Sequence, residues 1–172
     1  AAAEVVAAIV AMGRRARAYQ APVDDFDRDR EMVAQIEADL GPVGILINNA
    51  GLASRGQTVA DTDPLELERV VRTHAFGPHF LSKLVLPSLR TRPRGDIVMI
   101  SSAATKFMAS HAAPYNMGKA AMEALAFTLA KEERGHNVHV NVVAPGLVDT
   151  EMGKRLVRAG RPAAQLSFHP HR

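Results

Sequence analysis

The sequence predicts an α/β fold built around a parallel sheet. Two observations predict it: segments with helical periodicity alternate with short apolar runs typical of buried strands, and turns rich in small residues follow those runs. Connections long enough to hold a helix favour parallel over antiparallel strands. With 172 residues, 47% of them hydrophobic, the chain can form one domain with its own core.

The first 50 residues contain two predicted helices and two predicted strands. An apolar stripe over residues 1–12 predicts a helix that ends at Gly13, and residues 27–40 show a second amphipathic pattern. A short strand is predicted at residues 17–20. A buried strand is predicted at residues 43–47, where the run is almost wholly apolar.

The next helix has a strong start signal and a long apolar stripe. Asp63 is a capping residue, Pro64 stands at the first helical position and a glutamate follows two residues later, and the stripe continues to Leu89. A bend is predicted at Gly77 and Pro78 within this helix.

The second half of the chain also alternates between strand and helix. Residues 96–100 form an apolar run typical of a buried strand, and a helix is predicted from Pro114 to about Arg134. A further strand ends within residues 141–150. The helix is apolar on nearly every side between residues 120 and 130, where only Glu123 and Thr128 are polar. We therefore expect it to be covered on more than one side.

Composition argues against several classes of protein. The chain has no cysteine, so disulfides and thiolate metal sites are excluded, and its seven histidines show no metal-ligand spacing. The net charge of +3 comes from small, separated arginine groups with 5% aromatic residues, which does not favour nucleic-acid binding. Residues 1–12 carry Glu4 and are too short to cross a membrane. We expect a cytoplasmic protein without a metal.

Ser102, Tyr115 and Lys119 form the first candidate catalytic group. Tyr115 and Lys119 are four residues apart in a predicted helix, so their Cβ atoms lie about 5 to 6 Å apart on one face. A nearby ammonium favours the ionised form of a phenol, which is otherwise a weak proton-transfer group at neutral pH. Ser102 follows the strand at 96–100, and ligands bind at the carboxyl ends of strands in open α/β sheets.

Taken alone, a tyrosine and a lysine four residues apart are more often two solvated helix residues. Two further patterns change this interpretation: Asn-Asn-Ala-Gly at 48–51 follows one strand, and Asn-Val-Val-Ala-Pro-Gly-Leu-Val-Asp-Thr at 141–150 ends another. With all these features in this order, residues 1–158 resemble the short-chain dehydrogenase/reductase family of the classical type. The resemblance implies a Rossmann-like, doubly wound parallel sheet.

The resemblance also implies an activity, which is hydride transfer between NAD or NADP and a ketone or secondary alcohol. Tyr115 would donate or accept the substrate proton, Ser102 would hydrogen-bond the substrate oxygen, and Lys119 would favour the phenolate and bind the nicotinamide ribose. The cofactor-binding positions that the family pattern implies are Asn49, Ala50, Gly51, Tyr115, Lys119, Pro145, Gly146, Val148 and Thr150. In the family, helices equivalent to those from Pro64 to Leu89 and from Pro114 to Arg134 pair across a subunit interface, which implies a homo-oligomer.

Histidine 74 stands where the family has a fourth catalytic residue, an asparagine that organises a water-linked proton path. His74 is either a working variant that titrates near neutrality or a buried, satisfied histidine, and the sequence leaves both readings open. Met108 and His111 lie between Ser102 and Tyr115 in a loop that would line a substrate pocket. They are weaker candidates for substrate contacts.

The largest departure from the family is the lack of a glycine-rich turn. No Gly-x-x-x-Gly-x-Gly occurs in the chain, and residue 1 already falls in what resembles the second crossover helix of the family. We therefore expect an incomplete sheet that lacks the first strand-helix-strand part, with no pyrophosphate site and an exposed apolar edge. This pattern is typical of a fragment. Residues 159–172 lose the resemblance and are expected to form a poorly ordered tail.

A second departure is Pro22, which occupies the place of an aspartate that usually contacts adenine in the family. The neighbouring Asp24 and Asp25 are better explained as a helix-capping run.

Three functions remain open at this point. The first is an oxidoreductase or part of one, and the second is a catalytically inactive chain that keeps only the helix-pairing surface. The third, an extended-type epimerase or dehydratase, shares the Tyr-x-x-x-Lys pattern, but the turn at 48–51 and the short chain argue against it.

Overall fold

The computed structural model describes residues 2–149 and residue 154. Its helices are α1 (Ala2–Ala11), α2 (Phe26–Leu40), α3 (Pro64–Val71), α4 (Gly77–Arg90), α5 (Ala104–Phe107) and α6 (Ala113–Glu132). Its strands are β1 (Ile45–Asn48), β2 (Gly95–Ile100) and β3 (Val138–Val143). The tail predicted at 159–172 and the cofactor candidate Thr150 lie outside the described residues.

The three strands form a parallel sheet in the order β1-β2-β3. Ile47 pairs with Val98, which pairs with Asn141 on the other side, so the central strand β2 is the most protected. The helical segments α3 and α4 connect β1 to β2, and α6 connects β2 to β3. The predicted parallel α/β architecture is therefore confirmed, and all three strands end at the same edge of the sheet.

The core lies between one face of the sheet and the helices α2, α4 and α6. Leu89, Ile97, Met99 and Met122 are fully buried there, and burying a side chain of this kind stabilises the fold by roughly 1.5 to 3 kcal/mol. The remaining buried members of the cluster are Val33, Val85, Ala126, Leu129 and Val138. The covered face holds alternate residues of each strand, as the period of two requires.

The opposite face of the sheet is open in the described part of the chain. Ile45, Ile47 and Val143 expose 63%, 59% and 48% of their surface, so the prediction of a buried strand at 43–47 is wrong for one of its faces. The physical reason is that β1 pairs only with β2, and no residue of α1 is buried. A doubly wound sheet has helices on both faces. The residues described here supply the layer for one face, and the expected apolar edge is present.

The strand predicted at residues 17–20 is absent from the structure. This segment is irregular, and side chains rather than a ladder hold it to the end of α2: the Tyr19 hydroxyl donates to Asp39 Oδ2 at 2.8 Å, and Arg15 Nη2 donates to the Leu40 carbonyl at 3.1 Å. A strand needs a hydrogen-bonded neighbour. None of the three strands of the sheet pairs with this segment, so its strand propensity is not realised.

The predicted helix starts are confirmed in detail. Asp25 caps α2, because its carboxylate accepts hydrogen bonds from the amides of Asp27 and Arg28 at 3.1 Å each. Asp63 caps α3 by accepting from the Leu65 amide at 2.9 Å. At the other end of α2, Gly41 has φ of 94°, which only glycine adopts without strain.

The long helix predicted from Pro64 to Leu89 is interrupted one turn earlier than expected. Residues 72–76 form a π-helical turn between α3 and α4, so the irregularity precedes Gly77 and Pro78. At Gly77 the backbone touches Val23: a Cβ atom there would lie 2.6 Å from the Val23 carbonyl oxygen. The π turn inserts an extra residue into the helix, and such turns are frequent at functional sites. The short helix α5 was not predicted.

Candidate functional site

The first two turns of α6 bring Tyr115 and Lys119 to the carboxyl end of the sheet. The Lys119 side chain is buried, with 4% of its surface exposed, and its Nζ donates a hydrogen bond of 2.6 Å to the Ile100 carbonyl at the end of β2. The same Nζ lies 5.9 Å from the centre of the Tyr115 ring. Burial lowers the pKa of Lys119 to about 8, so the group still carries a proton for most of the time at pH 7.

The π turn places His74 against both of these residues. The His74 and Tyr115 rings meet edge to face with centres 5.2 Å apart, and His74 is fully buried. Two glycines make room for the imidazole: a Cβ atom at Gly51 would lie 2.8 Å from its Cε1, and one at Gly118 would lie 2.8 Å from its Cβ. The ring is therefore enclosed between the turn after β1 and the helix that carries Tyr115.

The hydrogen bonds of His74 are confined to one ring nitrogen. Its Nε2 lies 2.8 Å from the Leu52 carbonyl oxygen and 3.2 Å from the Leu52 amide, while the buried Nδ1 has no partner. A carbonyl oxygen accepts only, so the shorter contact assigns the proton to Nε2. One interpretation of the sequence is that His74 is buried with its hydrogen bonds satisfied. The structure shows the burial, but Nδ1 lacks a hydrogen-bond partner.

The charge state of His74 follows from its surroundings. The pKa of His74 is lowered to about 4: burial is the largest cause, the hydrogen bond to Leu52 opposes it, and the Lys119 ammonium adds to the lowering. The ring is therefore neutral from pH 6 to pH 8. The interpretation that His74 titrates near neutrality is wrong for this structure, because a desolvated imidazole beside an ammonium disfavours a second positive charge.

Ser102 lies in the turn that follows β2. It is half-buried, its Oγ accepts a hydrogen bond of 3.2 Å from the Ala104 amide, and the Ala103 amide donates to the Pro145 carbonyl at 2.9 Å. The turn thus joins the ends of β2 and β3. Ser102 lies two residues after Ile100, whose carbonyl accepts the hydrogen bond from Lys119. Its position at the carboxyl edge of the sheet agrees with the sequence prediction.

The other candidates lie around this edge with different exposure. Asn49 and Ala50 are exposed directly after β1, Gly51 is half-buried against His74, and Pro145 is half-buried beside Ala103. The remaining described candidates, all exposed, are Met108, His111, Gly146 and Val148. Met108 and His111 both have positive φ, at 46° and 60°, in the loop between α5 and α6. Their substrate role stays a prediction.

Sequence reasoning missed one buried group near the site. Glu123 of α6 is 9% exposed, and its Oε1 accepts hydrogen bonds from the Ser101 hydroxyl at 2.6 Å and the Thr105 hydroxyl at 2.9 Å. The available signal was that Glu123 is the only charged residue between residues 120 and 130. A carboxylate in an apolar helix segment is costly to bury without hydrogen-bond donors, so it marks a specific polar contact.

Two findings bear on other classes of site. No helix among residues 2–149 is long and apolar enough to cross a membrane. Within the same described range, no three histidine, aspartate or glutamate side chains are grouped so that they could hold a metal ion.

The site groups a buried lysine, a half-buried tyrosine and a serine at the end of a strand. This arrangement agrees with the resemblance to the short-chain dehydrogenase/reductase family seen in the sequence. A family model described as short chain dehydrogenase matches residues 1–160. The chain belongs to this family. Its Rossmann-like sheet is accordingly the short-chain dehydrogenase sheet, present in part.

Relatives of this short-chain dehydrogenase include curated proteins and solved structures. Dehydrogenase/reductase SDR family member 7B of Bos taurus is 37% identical over 119 residues, which cover 69% of this chain and 36% of that protein. Gluconate 5-dehydrogenase of Gluconobacter oxydans is 33% identical over 147 residues, covering 86% of this chain and 57% of that protein. A metagenomic short-chain oxidoreductase crystallised with NADP has a TM-score of 0.79 and 27% identity, covering 97% of this chain and 77% of that one.

This short-chain dehydrogenase chain spans only 36% and 57% of the length of the two curated relatives. The family match supports an oxidoreductase as the class of protein. The activity of a whole protein, its cofactor and its substrate do not follow from a match over part of that length, and they are treated next as proposals.

Proposed function

We propose that this chain carries the proton-transfer part of an NAD(P)-dependent oxidoreductase that interconverts a ketone and a secondary alcohol. The observation that carries the proposal is that the buried Lys119 and His74 meet the half-buried Tyr115 at the carboxyl end of the sheet, next to the Ser102 turn. A buried ammonium beside a phenol, near an anchored hydroxyl, is the set of groups that carbonyl reduction needs at the substrate oxygen.

In the reducing direction, Tyr115 donates its phenolic proton to the substrate oxygen as negative charge develops there. The Ser102 hydroxyl donates a hydrogen bond to the same oxygen, an interaction comparable to one oxyanion donor, which contributes about 3 kcal/mol. Lys119, held by the Ile100 carbonyl, stabilises the phenolate that remains. A bound nicotinamide supplies the hydride for the substrate carbon, so that ketone, hydride and proton together give the alcohol.

The residues present fit the nicotinamide-ribose part of such a cofactor. The exposed Asn49 and Ala50 allow a ribose to approach the backbone after β1, while Tyr115 and Lys119 supply a hydroxyl and an ammonium for the ribose hydroxyls. The other proposed contacts are Gly51, Pro145, Gly146, Val148 and Thr150. The unpaired Nδ1 of His74 is a further buried acceptor in this group, and a role for it in a proton path is part of the proposal.

The pyrophosphate part has no counterpart in these 172 residues, since the sequence lacks Gly-x-x-x-Gly-x-Gly. That lack favours a second candidate function, a catalytically inactive chain that keeps the family fold. The choice between NAD and NADP stays open, although the metagenomic neighbour was crystallised with NADP.

The proposal includes self-association through α3, α4 and α6. Leu65, Met117 and Phe127 lie on α3 and α6 with 73%, 53% and 58% of their surface exposed, and Phe76, 45% exposed, ends the π turn just before α4. Apolar side chains on neighbouring helices are typical of an interface between copies. Nothing in a chain without cysteine requires an oxidising compartment, and we propose the cytoplasm as its location.

The test uses a longer chain in which a glycine-rich strand-helix-strand unit, from the upstream coding sequence or a relative, precedes Ala1. Replacement of Tyr115 by Phe keeps the ring against His74 and deletes only the transferable proton. We expect turnover to fall by roughly 100- to 10,000-fold, the usual contribution of a general acid, with cofactor affinity retained. NAD(P)H oxidation is followed against a panel of ketones, and affinity is measured by cofactor fluorescence.

Tyr19→Phe is the matched control, because Tyr19 is the other tyrosine of the chain and its hydroxyl binds Asp39 away from this site. Near-normal turnover in the Tyr115 variant, or an equal loss in the control, would end the assignment. A longer chain that binds cofactor but reduces no ketone would favour the inactive candidate.

A further inference from the structure

The turn that carries Ser102 is held by hydrogen bonds on both sides of the serine. The Ser101 amide donates to the Val143 carbonyl at 2.8 Å, and the Thr105 amide donates to the Ser102 carbonyl at 3.1 Å. The Ala104 amide donates to Ser102 Oγ at 3.2 Å. These bonds fold the turn, but none of them joins it to α6, the helix that carries Tyr115 and Lys119.

Glu123 makes that connection. Its Oε1 accepts from the Ser101 hydroxyl at 2.6 Å and from the Thr105 hydroxyl at 2.9 Å, so one carboxylate oxygen binds residues on either side of Ser102. Glu123 is one helical turn beyond Lys119, and Lys119 binds the carbonyl of Ile100, the residue before Ser101. Two helix residues one turn apart therefore hold two consecutive residues at the end of β2.

The residue type at position 123 suits this role. Carboxylate oxygens accept hydrogen bonds, and hydrogen bonds to a carboxylate are in general shorter and stronger than those between neutral groups; the Ser101 hydroxyl lies 2.6 Å from Glu123 Oε1. The Thr105 hydroxyl has one proton and also lies 2.9 Å from the Ser102 carbonyl, so it donates to one of the two acceptors at a time. Ser101 is itself buried. If Glu123 only filled space in the core, its carboxylate would not need to contact both the Ser101 and the Thr105 hydroxyl.

We infer that Glu123 is a positioning residue, which sets the distance between the Ser102 hydroxyl and the Tyr115–Lys119 pair by holding Ser101 and Thr105 to α6. The inference rests on the proposed function for its catalytic consequence. The mechanical part, that Glu123 orders the turn at 101–105, stands on the contacts alone and is measurable in the chain without any cofactor.

Hydrogen exchange on the 172-residue chain tests the mechanical part. Glu123→Leu removes the acceptor and keeps an apolar side chain of similar size, whereas Glu123→Gln keeps an acceptor oxygen. We expect amide exchange over residues 101–106 to rise by roughly tenfold in the leucine variant, as for loss of one charge-assisted hydrogen bond, and to change little in the glutamine variant. Unchanged exchange in Glu123→Leu would overturn the inference.

Two further variants keep this test decisive. Glu133→Leu is the control, since Glu133 is also buried but binds Arg90 through both oxygens, and its loss should leave exchange at 101–106 unaltered. If Glu123→Leu does not fold, the double variant Ser101→Ala with Thr105→Val removes the same two donors. Protection at 101–106 equal to wild type in that double variant would equally refute the role of Glu123.

The catalytic part is measured in the longer chain described above. We expect Glu123→Leu to lower kcat by roughly 10- to 100-fold at unchanged cofactor affinity, the size of effect that a misplaced group produces, and Glu123→Gln to restore most of it. Loss of cofactor affinity instead of kcat would refute the positioning role. If wild type reduces no ketone while the exchange result holds, the proposed function fails and the ordering of the turn by Glu123 stands.

Discussion

His74 shows how enclosure changes the chemistry of a single residue. The imidazole lies in a slot between Gly51 and Gly118, and its pKa falls to about 4 because burial, helped by the charge of Lys119, disfavours the protonated ring. Histidine is the usual proton-transfer group near pH 7, but here it acts as a fixed neutral donor to the Leu52 carbonyl.

The pKa of His74 is lower in the folded chain than the ordinary value of 6.5, so the folded state favours the neutral ring. The neutral His74 ring therefore contributes about 3 kcal/mol to the free energy of unfolding above pH 6.5, and this contribution is lost as the pH falls to about 4. We expect His74→Asn to abolish this loss. Urea unfolding of the chain at pH 7.5, 5.5 and 4.5 measures it.

His79→Asn is the control, because His79 is exposed on the same helical segment. An identical pH dependence in wild type and His74→Asn would show that the buried ring does not control acid stability. In the longer, active chain, the same variant should leave the pH profile of kcat between 6 and 8 unaltered, since neither a neutral imidazole nor an amide titrates there.

At the scale of elements, helix α2 contains a buried acidic residue. Asp29 of α2 is fully buried, and neither of its carboxylate oxygens has a hydrogen-bond partner. Burial, together with the smaller effects of the Asp25 and Asp24 carboxylates, raises the pKa of Asp29 to about 6. Burial of α2 at neutral pH therefore includes an unfavourable contribution from Asp29, which apolar contacts such as those of Val33 offset.

The pKa of Asp29 is higher in the folded chain than the ordinary value of 3.8, so the protonated carboxyl stabilises the fold. That contribution is present below pH 3.8 and is lost as the pH rises through 6. We expect Asp29→Asn to raise the free energy of unfolding at pH 7 by up to about 3 kcal/mol and to leave it unaltered near pH 4. Urea unfolding at both pH values is the measurement.

Asp27→Asn serves as the comparison, because Asp27 belongs to the same turn and its side chain is 72% exposed beside Arg30. A loss of stability at pH 7 in the Asp29 variant would mean that the carboxylate has a partner the contacts do not reveal. Between pH 4 and 6 the slopes of Asp29 and His74 have opposite signs. Wild type is therefore expected to vary less with pH than either single variant.

At the scale of the whole molecule, the chain joins an assembled proton-transfer group to an open sheet. One face of the sheet is covered by α2, α4 and α6, and the other exposes Ile45, Ile47 and Val143. Exposed apolar side chains on an edge strand such as β1, which pairs only with β2 among the described strands, favour association. The side of the sheet covered by helices suffices to order His74, Tyr115 and Lys119, because their contacts come from Leu52 in the turn after β1, from the end of β2 and from one another.

We expect the 172-residue chain as it stands to bind NADH or NADPH weakly at best and to catalyse no hydride transfer. The reason is that backbone amides of a glycine-rich turn at a helix start provide most of the pyrophosphate site, and the sequence contains no such motif. Fluorescence titration with both cofactors and carbonyl reduction at high protein concentration test this. Saturable micromolar binding with steady turnover would contradict it.

The sequence by itself determined the features that depend on short-range patterns. Aspartate capping at Asp25 and Asp63, the glycine stop at Gly41 and the alternation of helix and strand all follow from residues a few positions apart, so they could be predicted. The candidate group Ser102, Tyr115 and Lys119 was also readable, because strand-end and i, i+4 positions converge in a parallel α/β fold.

The tertiary structure alone decided what depends on contacts between distant segments. The segment at 17–20 has strand propensity but no neighbouring strand, and the apolar run at 43–47 is buried on one side only because a single layer of helices covers the sheet. The low pKa of His74 and the hydrogen bonds of Glu123 arise from groups more than 15 residues away in the chain. Desolvation and hydrogen bonding act through space, and local sequence patterns do not contain that information.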